Sequence, residues 1–134
     1  MSAITEFLFP APATRKAGGI IKWWESRRLH YNAIVGGTGL VSLGAFQVLT
    51  SIPPDAHSIP FLWAPIVGFG LMANVCYFLG PLAEITVEKL SGGKVLPTGP
   101  ALYRMGLTFS VGLTLLPTLM AGMDLAFRIF RWLF

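Results

Sequence analysis

Residues 61–83 read FLWAPIVGFGLMANVCYFLGPLA, a run without an Asp, Glu, Lys, Arg or His. A helix rises about 1.5 Å per residue, so about 20 apolar residues cross the roughly 30 Å hydrocarbon core of a bilayer. The stretch is therefore predicted to be a transmembrane helix. Uncharged stretches of similar length lie on either side of it at 33–52 and 105–123, each joined to it by a segment rich in proline or glycine. The expected fold is an all-α membrane protein of three transmembrane helices, with an N-terminal interfacial helix and an amphipathic, aromatic C-terminal helix extension. As a single membrane domain over 1–134 it divides into an N-terminal arm (1–19), an interfacial helix (20–32), a first span (33–52), a second (61–83), a cytoplasmic segment (84–104), a third span (105–123) and a second interfacial helix (124–134).

Composition agrees. The 134 residues are 54% hydrophobic and 12% charged, with a mean hydropathy of +0.66, whereas soluble domains carry about 25% charged residues. The net charge of +4 does not point to nucleic acid, because the basic residues gather beside the hydrophobic spans, where they serve topology and lipid headgroups. The single cysteine, Cys76, lies inside the second span and has no intrachain partner.

In the first residues the apolar cluster Phe7-Leu8-Phe9 is broken by Pro10 and Pro12. No basic start, apolar run and small-residue cleavage site follow one another, so the N-terminus is expected to be retained, as a mobile arm or a segment laid on a partner. Next comes IIKWWESRRLHYN (20–32). On a helical wheel Ile20, Trp24 and Tyr31 share one face, Lys22, Glu25 and Ser26 take the other, and Arg27 and Arg28 lie at the borders. That pattern suits a helix in the membrane interface, where Trp and Tyr are enriched and arginines snorkel. Trp23, Trp24, Arg27, Arg28 and Tyr31 are accordingly candidate contacts with lipid or with another subunit.

WWESRRLHYN at the entrance to the first span, together with ANVCYFLGPLAE (73–84) at the exit of the second, resembles a loose group of small bacterial inner-membrane proteins. The group has no agreed function, so the resemblance implies a bacterial inner-membrane setting and no catalytic residue.

In the first span Ala33, Gly37 and Gly44 fall on one face with Leu40, a stripe of small residues that lets another helix approach closely. These glycines follow no strand and do not form a nucleotide-binding loop. The connection IPPDAHSIP (52–60) is too short for more than a tight turn and lacks Lys and Arg. Arg15, Lys16, Lys22, Arg27 and Arg28 before the first span, and Lys89, Lys94 and Arg104 after the second, put eight basic residues on one side against Arg128 and Arg131 on the other. By the positive-inside rule the N-terminus is expected in the cytoplasm and the C-terminus in the periplasm.

Pro65 fits the first turn of the second helix. Pro81, after Gly80, is expected to kink or interrupt it, leaving PLAEITVEKL as a short surface helix. There Glu84 and Glu88, one turn apart, either join Arg27 and Arg28 in a charge network or stay solvated. Gly93-Lys94 is not a phosphate-binding loop, because Glu88 and Val95 stand where that motif needs glycine and Ser or Thr. In the third span Gly106 and Ser110 form a small-xxx-small pair, and Pro117 with Thr114 predicts a bend. Beyond it Asp124, Arg128 and Arg131 form a polar stripe, and Phe130 and Trp132 are candidates for anchoring in lipid or pressing on a partner.

No carboxylate, Lys or Arg lies within the three spans, as an ion carrier would require, and His30 and His57 fall at the boundaries, away from the depth at which haem or chlorophyll is ligated. Catalytic, metal-binding and cofactor-binding residues are therefore expected to be none. Ser42, Asn74 and Ser110 lie at similar depths counted from the span ends, so Asn74 is expected to bond across to one of the serines and fix the helix register. Two functions remain. One is an accessory, non-catalytic subunit of an inner-membrane energy-converting complex, photosynthetic or respiratory, with other membrane subunits and lipid as partners. The other is a stand-alone homo-oligomer that binds or transports a quinone or lipid.

Overall fold

A computed structural model of the chain describes residues 16–57, 60, 63–92 and 98–134. The expected arm at 1–15, residues 93–97 and positions 58, 59, 61 and 62 lie outside the described residues. Among the described residues three helices make the fold: α1 (Ala17–Ser51), α2 (Trp63–Ser91) and α3 (Gly99–Leu133). Each is long and apolar enough to cross a membrane, the architecture of a multi-pass membrane protein.

The helices are longer than the charge-free stretches that announced them. The interfacial segment 20–32 is not a separate helix lying in the membrane plane, but the opening turns of the 35-residue α1. No proline or glycine occurs from Ile20 to Val35 to break it, and its aromatic face is buried against α2 and α3. Likewise α2 runs through Pro81 without interruption to Ser91, and α3 carries the whole of 105–134 except its last residue, with Pro117 inside it.

Helices α1 and α3 run parallel and share the largest of the three helix contacts. Along α1 the buried residues Trp24, Tyr31, Val35 and Ser42 recur at steps of seven and four. Along α3 Tyr103, Thr114, Ala121 and Arg128 recur at steps of eleven and seven. These are heptad seams, the spacing that keeps one face of each helix turned to the other. The outside carries the large apolar residues, among them Leu40, Leu71, Phe109 and Trp132, as expected when the surrounding solvent is lipid.

Candidate functional site

The end of the bundle where α1 begins is closed by rings. Trp24 stands edge-on to Trp23 (centroids 5.5 Å apart), Tyr77 (5.4 Å) and Tyr103 (6.0 Å), and Tyr31 packs on Tyr77 at 4.7 Å. Such pairs add about 0.5–1.5 kcal/mol each beyond area burial. The polar edges of the rings are satisfied: the Tyr77 hydroxyl donates to the Trp24 carbonyl at 2.6 Å, and the Trp24 indole N–H donates to Glu84 at 2.7 Å. Glu84 is buried and its carboxylate lies against Gly99, the first residue of α3. That helix has no acidic residue in its first turn and no side-chain cap, so a carboxylate supplied by α2 complements its N-terminal dipole. Two glycines make room for this arrangement. A Cβ on Gly80 would overlap the Trp24 ring, and one on Gly99 would overlap the Glu84 carboxylate.

Several expectations change here. Trp23, Trp24 and Tyr31 are 8%, 3% and 3% exposed; they belong to the chain's own core and are not free to anchor in lipid or dock a subunit. The rings turn inward because Tyr77, Gly80 and Glu84, at i, i+3 and i+7 of α2, offer a matching face. Among the described residues Glu84 joins no arginine network. Arg28 pairs with Glu25 of its own helix at 2.7 Å and lies over the Phe78 ring, and Arg27 lies over Trp23.

In the middle of the bundle polar groups pair along the α1–α3 seam. Thr118 donates its hydroxyl proton to the Ser42 carbonyl at 2.9 Å, which leaves Ser42 Oγ to donate to Thr118 Oγ1 at 2.7 Å. Tyr31 donates to the Ala73 carbonyl at 3.3 Å and so accepts from Ser110 at 2.7 Å. Asn74 therefore does not bridge to either serine: its amide donates to the Gly70 carbonyl of its own helix at 3.0 Å. The register differs from the one that aligned span ends would give. With Tyr31 at Ala73 and Trp24 at Glu84, α2 is displaced along α1 by roughly two to three turns, because the ring cluster, rather than the limits of the uncharged stretches, sets the pairing.

At the far end Arg128 is 3% exposed. Its guanidinium donates to the carbonyls of Leu49 (2.9 Å), Ile52 (2.8 Å), Pro54 (2.9 Å) and Asp55 (3.3 Å), and Nε lies 2.9 Å from Asp124. The last carbonyls of a helix have no partner within it, and a cation is favourable there. Arg128 thus caps α1 and clamps the turn after it, where Asp55 adopts φ 54°. The stripe Asp124, Arg128 and Arg131 is not uniformly interfacial, since its central member is inside. Arg131 pairs with Asp55 at 3.2 Å on the surface, and Phe130 and Trp132 are exposed.

The small-residue positions divide. Ala33, Gly37, Gly44 and Gly106 are exposed, and the three glycines have open space where a Cβ would stand, whereas Ser110 is taken up by Tyr31. Between the three helices an apolar groove of about 410 Å³ is lined by Asn32, Gly36 and Gly39 of α1, Gly70 and Asn74 of α2, and Thr114 of α3, among others. Neither this groove nor the roles of Glu84, Gly80 and Arg128 follow from the sequence reading. The i, i+3, i+7 spacing of Tyr77, Gly80 and Glu84 is the signal available for the first two residues. Among the described residues no three of His, Cys, Asp and Glu gather as metal ligands. No protein-family model, curated protein or solved structure matches the chain.

Proposed function

We propose that the chain is an accessory, non-catalytic structural subunit of a larger energy-converting complex, photosynthetic or respiratory, in a bacterial inner membrane. The observation that carries this reading is the outward edge of α1. Ala33, Gly37 and Gly44 lie on it, exposed, with nothing of the chain within 4 Å of a Cβ at either glycine. In lipid, helices associate through close backbone approach rather than through apolar attraction, so an uncovered edge of small residues is suited to a neighbouring helix. Phe130 and Trp132, 61% and 72% exposed, add ring surface at the other end. The distribution of basic residues supports a cytoplasmic N-terminus and a periplasmic C-terminus.

Changing Gly37 or Gly44 to Leu is expected to release the protein from its complex while leaving it inserted, read by copurification from native membranes in mild detergent. Variants that copurify as fully as the parent end the subunit reading. For the orientation, a reporter active only outside the cytoplasm is expected to be silent after Gly18 and active after Phe134; the reverse pattern inverts the topology. The groove favours a second reading, a stand-alone homo-oligomer that binds or carries a quinone or lipid. A native oligomer of this chain alone, holding a small molecule, would be its signature.

A further inference from the structure

We propose that the groove between α1, α2 and α3 is a binding site for a membrane quinone, whose carbonyl oxygens are met by the side-chain amides of Asn32 and Asn74. The inference goes beyond the subunit reading and does not depend on it, because every lining residue comes from one chain.

Three observations carry it. The groove holds about 410 Å³, within the range of roughly 300–1,000 Å³ typical of small-molecule sites. The groove is open at its glycines: a Cβ on Gly36 or Gly70 would meet nothing within 4 Å. The amides are also unspent. Asn32 has no hydrogen-bond partner among the described residues, and Asn74 gives one N–H to Gly70, leaving its second N–H and its Oδ1 open. The Tyr31 hydroxyl reaches the Ala73 carbonyl, so the next residue on each helix, Asn32 and Asn74, stands at about the same level of the bundle. Asn74 lies well inside the charge-free stretch that ends at Ala83, where water does not satisfy an amide and an unpaired one is costly.

The lining also selects among membrane molecules. It contains no Lys, Arg, His, Asp or Glu, so a phospholipid phosphate would find no counter-charge there. A bare acyl chain would leave the Asn32 amide, and the second N–H and Oδ1 of Asn74, unpaired. A quinone is neutral, offers carbonyl acceptors to the amide N–H groups, presents a flat ring to Phe69 and keeps an apolar tail for the side where Leu40, 72% exposed, faces lipid.

The probe is a decyl-substituted benzoquinone, with decylbenzene as the analogue lacking carbonyls, offered to the purified full chain in phosphatidylcholine nanodiscs. The expected result is saturable retention of one quinone per chain. Asn32→Leu and Asn74→Leu should each weaken it about tenfold, and Asn32→Gln should restore most of it. Gly36→Leu, whose Cβ would meet nothing within 4 Å, should abolish binding by placing its side chain in the groove and keeps the test decisive if an asparagine variant fails to fold. Retention of decylbenzene equal to that of the quinone, or unchanged binding by Gly36→Leu, overturns the proposal. Displacement of the quinone by stoichiometric phosphatidylglycerol also overturns it, by making the groove a phospholipid site.

Discussion

At the end of the bundle where α3 begins, a carboxylate from α2 sits at that helix's N-terminus; at the opposite end a guanidinium from α3 sits at the C-terminus of α1. Both charges are buried and both complement a helix dipole, yet they are held differently. Glu84 is seated among rings, with the Trp24 indole as its donor and glycine at each close approach. Arg128 is seated among backbone carbonyls of the turn it secures. The first end is fixed by shape and tolerates little change in volume. The second is fixed by hydrogen bonds from one arginine to the main chain.

The contrast can be broken by substitution. Trp24→Ala should be the most damaging, at about 3–5 kcal/mol, the range for removing a large buried aromatic. It removes ring contacts with three residues and strands Glu84. The measurement is SDS-induced unfolding in mixed micelles followed by far-UV circular dichroism, and a loss below about 1 kcal/mol would mean that rings do not set this end. Arg128→Leu should cost about 2–3 kcal/mol, since hydrogen bonds to charged groups are worth about 1.5–3 each and carbonyls near the surface regain water. Its effect should concentrate in faster hydrogen exchange at residues 52–57; uniform loosening of the whole bundle would erase the distinction between the ends. Ser42→Ala should cost only about 0.6 kcal/mol, the average for a hydrogen bond between membrane helices, and Asn74→Leu still less, because its one bond lies within its own helix. A larger loss for Asn74→Leu than for Ser42→Ala in the same titration would restore the bridging role that the structure removes from Asn74.

The ordering explains where sequence reading succeeded. Spans were legible because uncharged runs as long as 33–52, 61–83 and 105–123 have few other uses in so small a chain. The continuity of 20–32 with the first span was legible only in part. The wheel placed Ile20, Trp24 and Tyr31 together, but a face of rings beside arginines is the pattern of an interfacial helix as much as of a helix whose rings are covered by neighbours. For the groove, no pattern existed: it is lined by residues of three different helices, among them Gly36, Gly70 and Thr114.

By itself the sequence determined the number of helices, their approximate places and the outward apolar surface, because the cost of burying charge in lipid is set residue by residue and needs no partner. The tertiary structure decided which face of each helix is inside. In lipid the interior of the bundle is no more apolar than the exterior, and here it carries Ser42, Thr114, Glu84 and Arg128, so hydropathy cannot distinguish them. It also decided the register, through contacts such as Trp24 with Glu84 and Tyr31 with Ala73, which join residues far apart in the chain. Those pairings depend on complementary shapes and donors on two helices at once, a property that no single stretch of sequence contains.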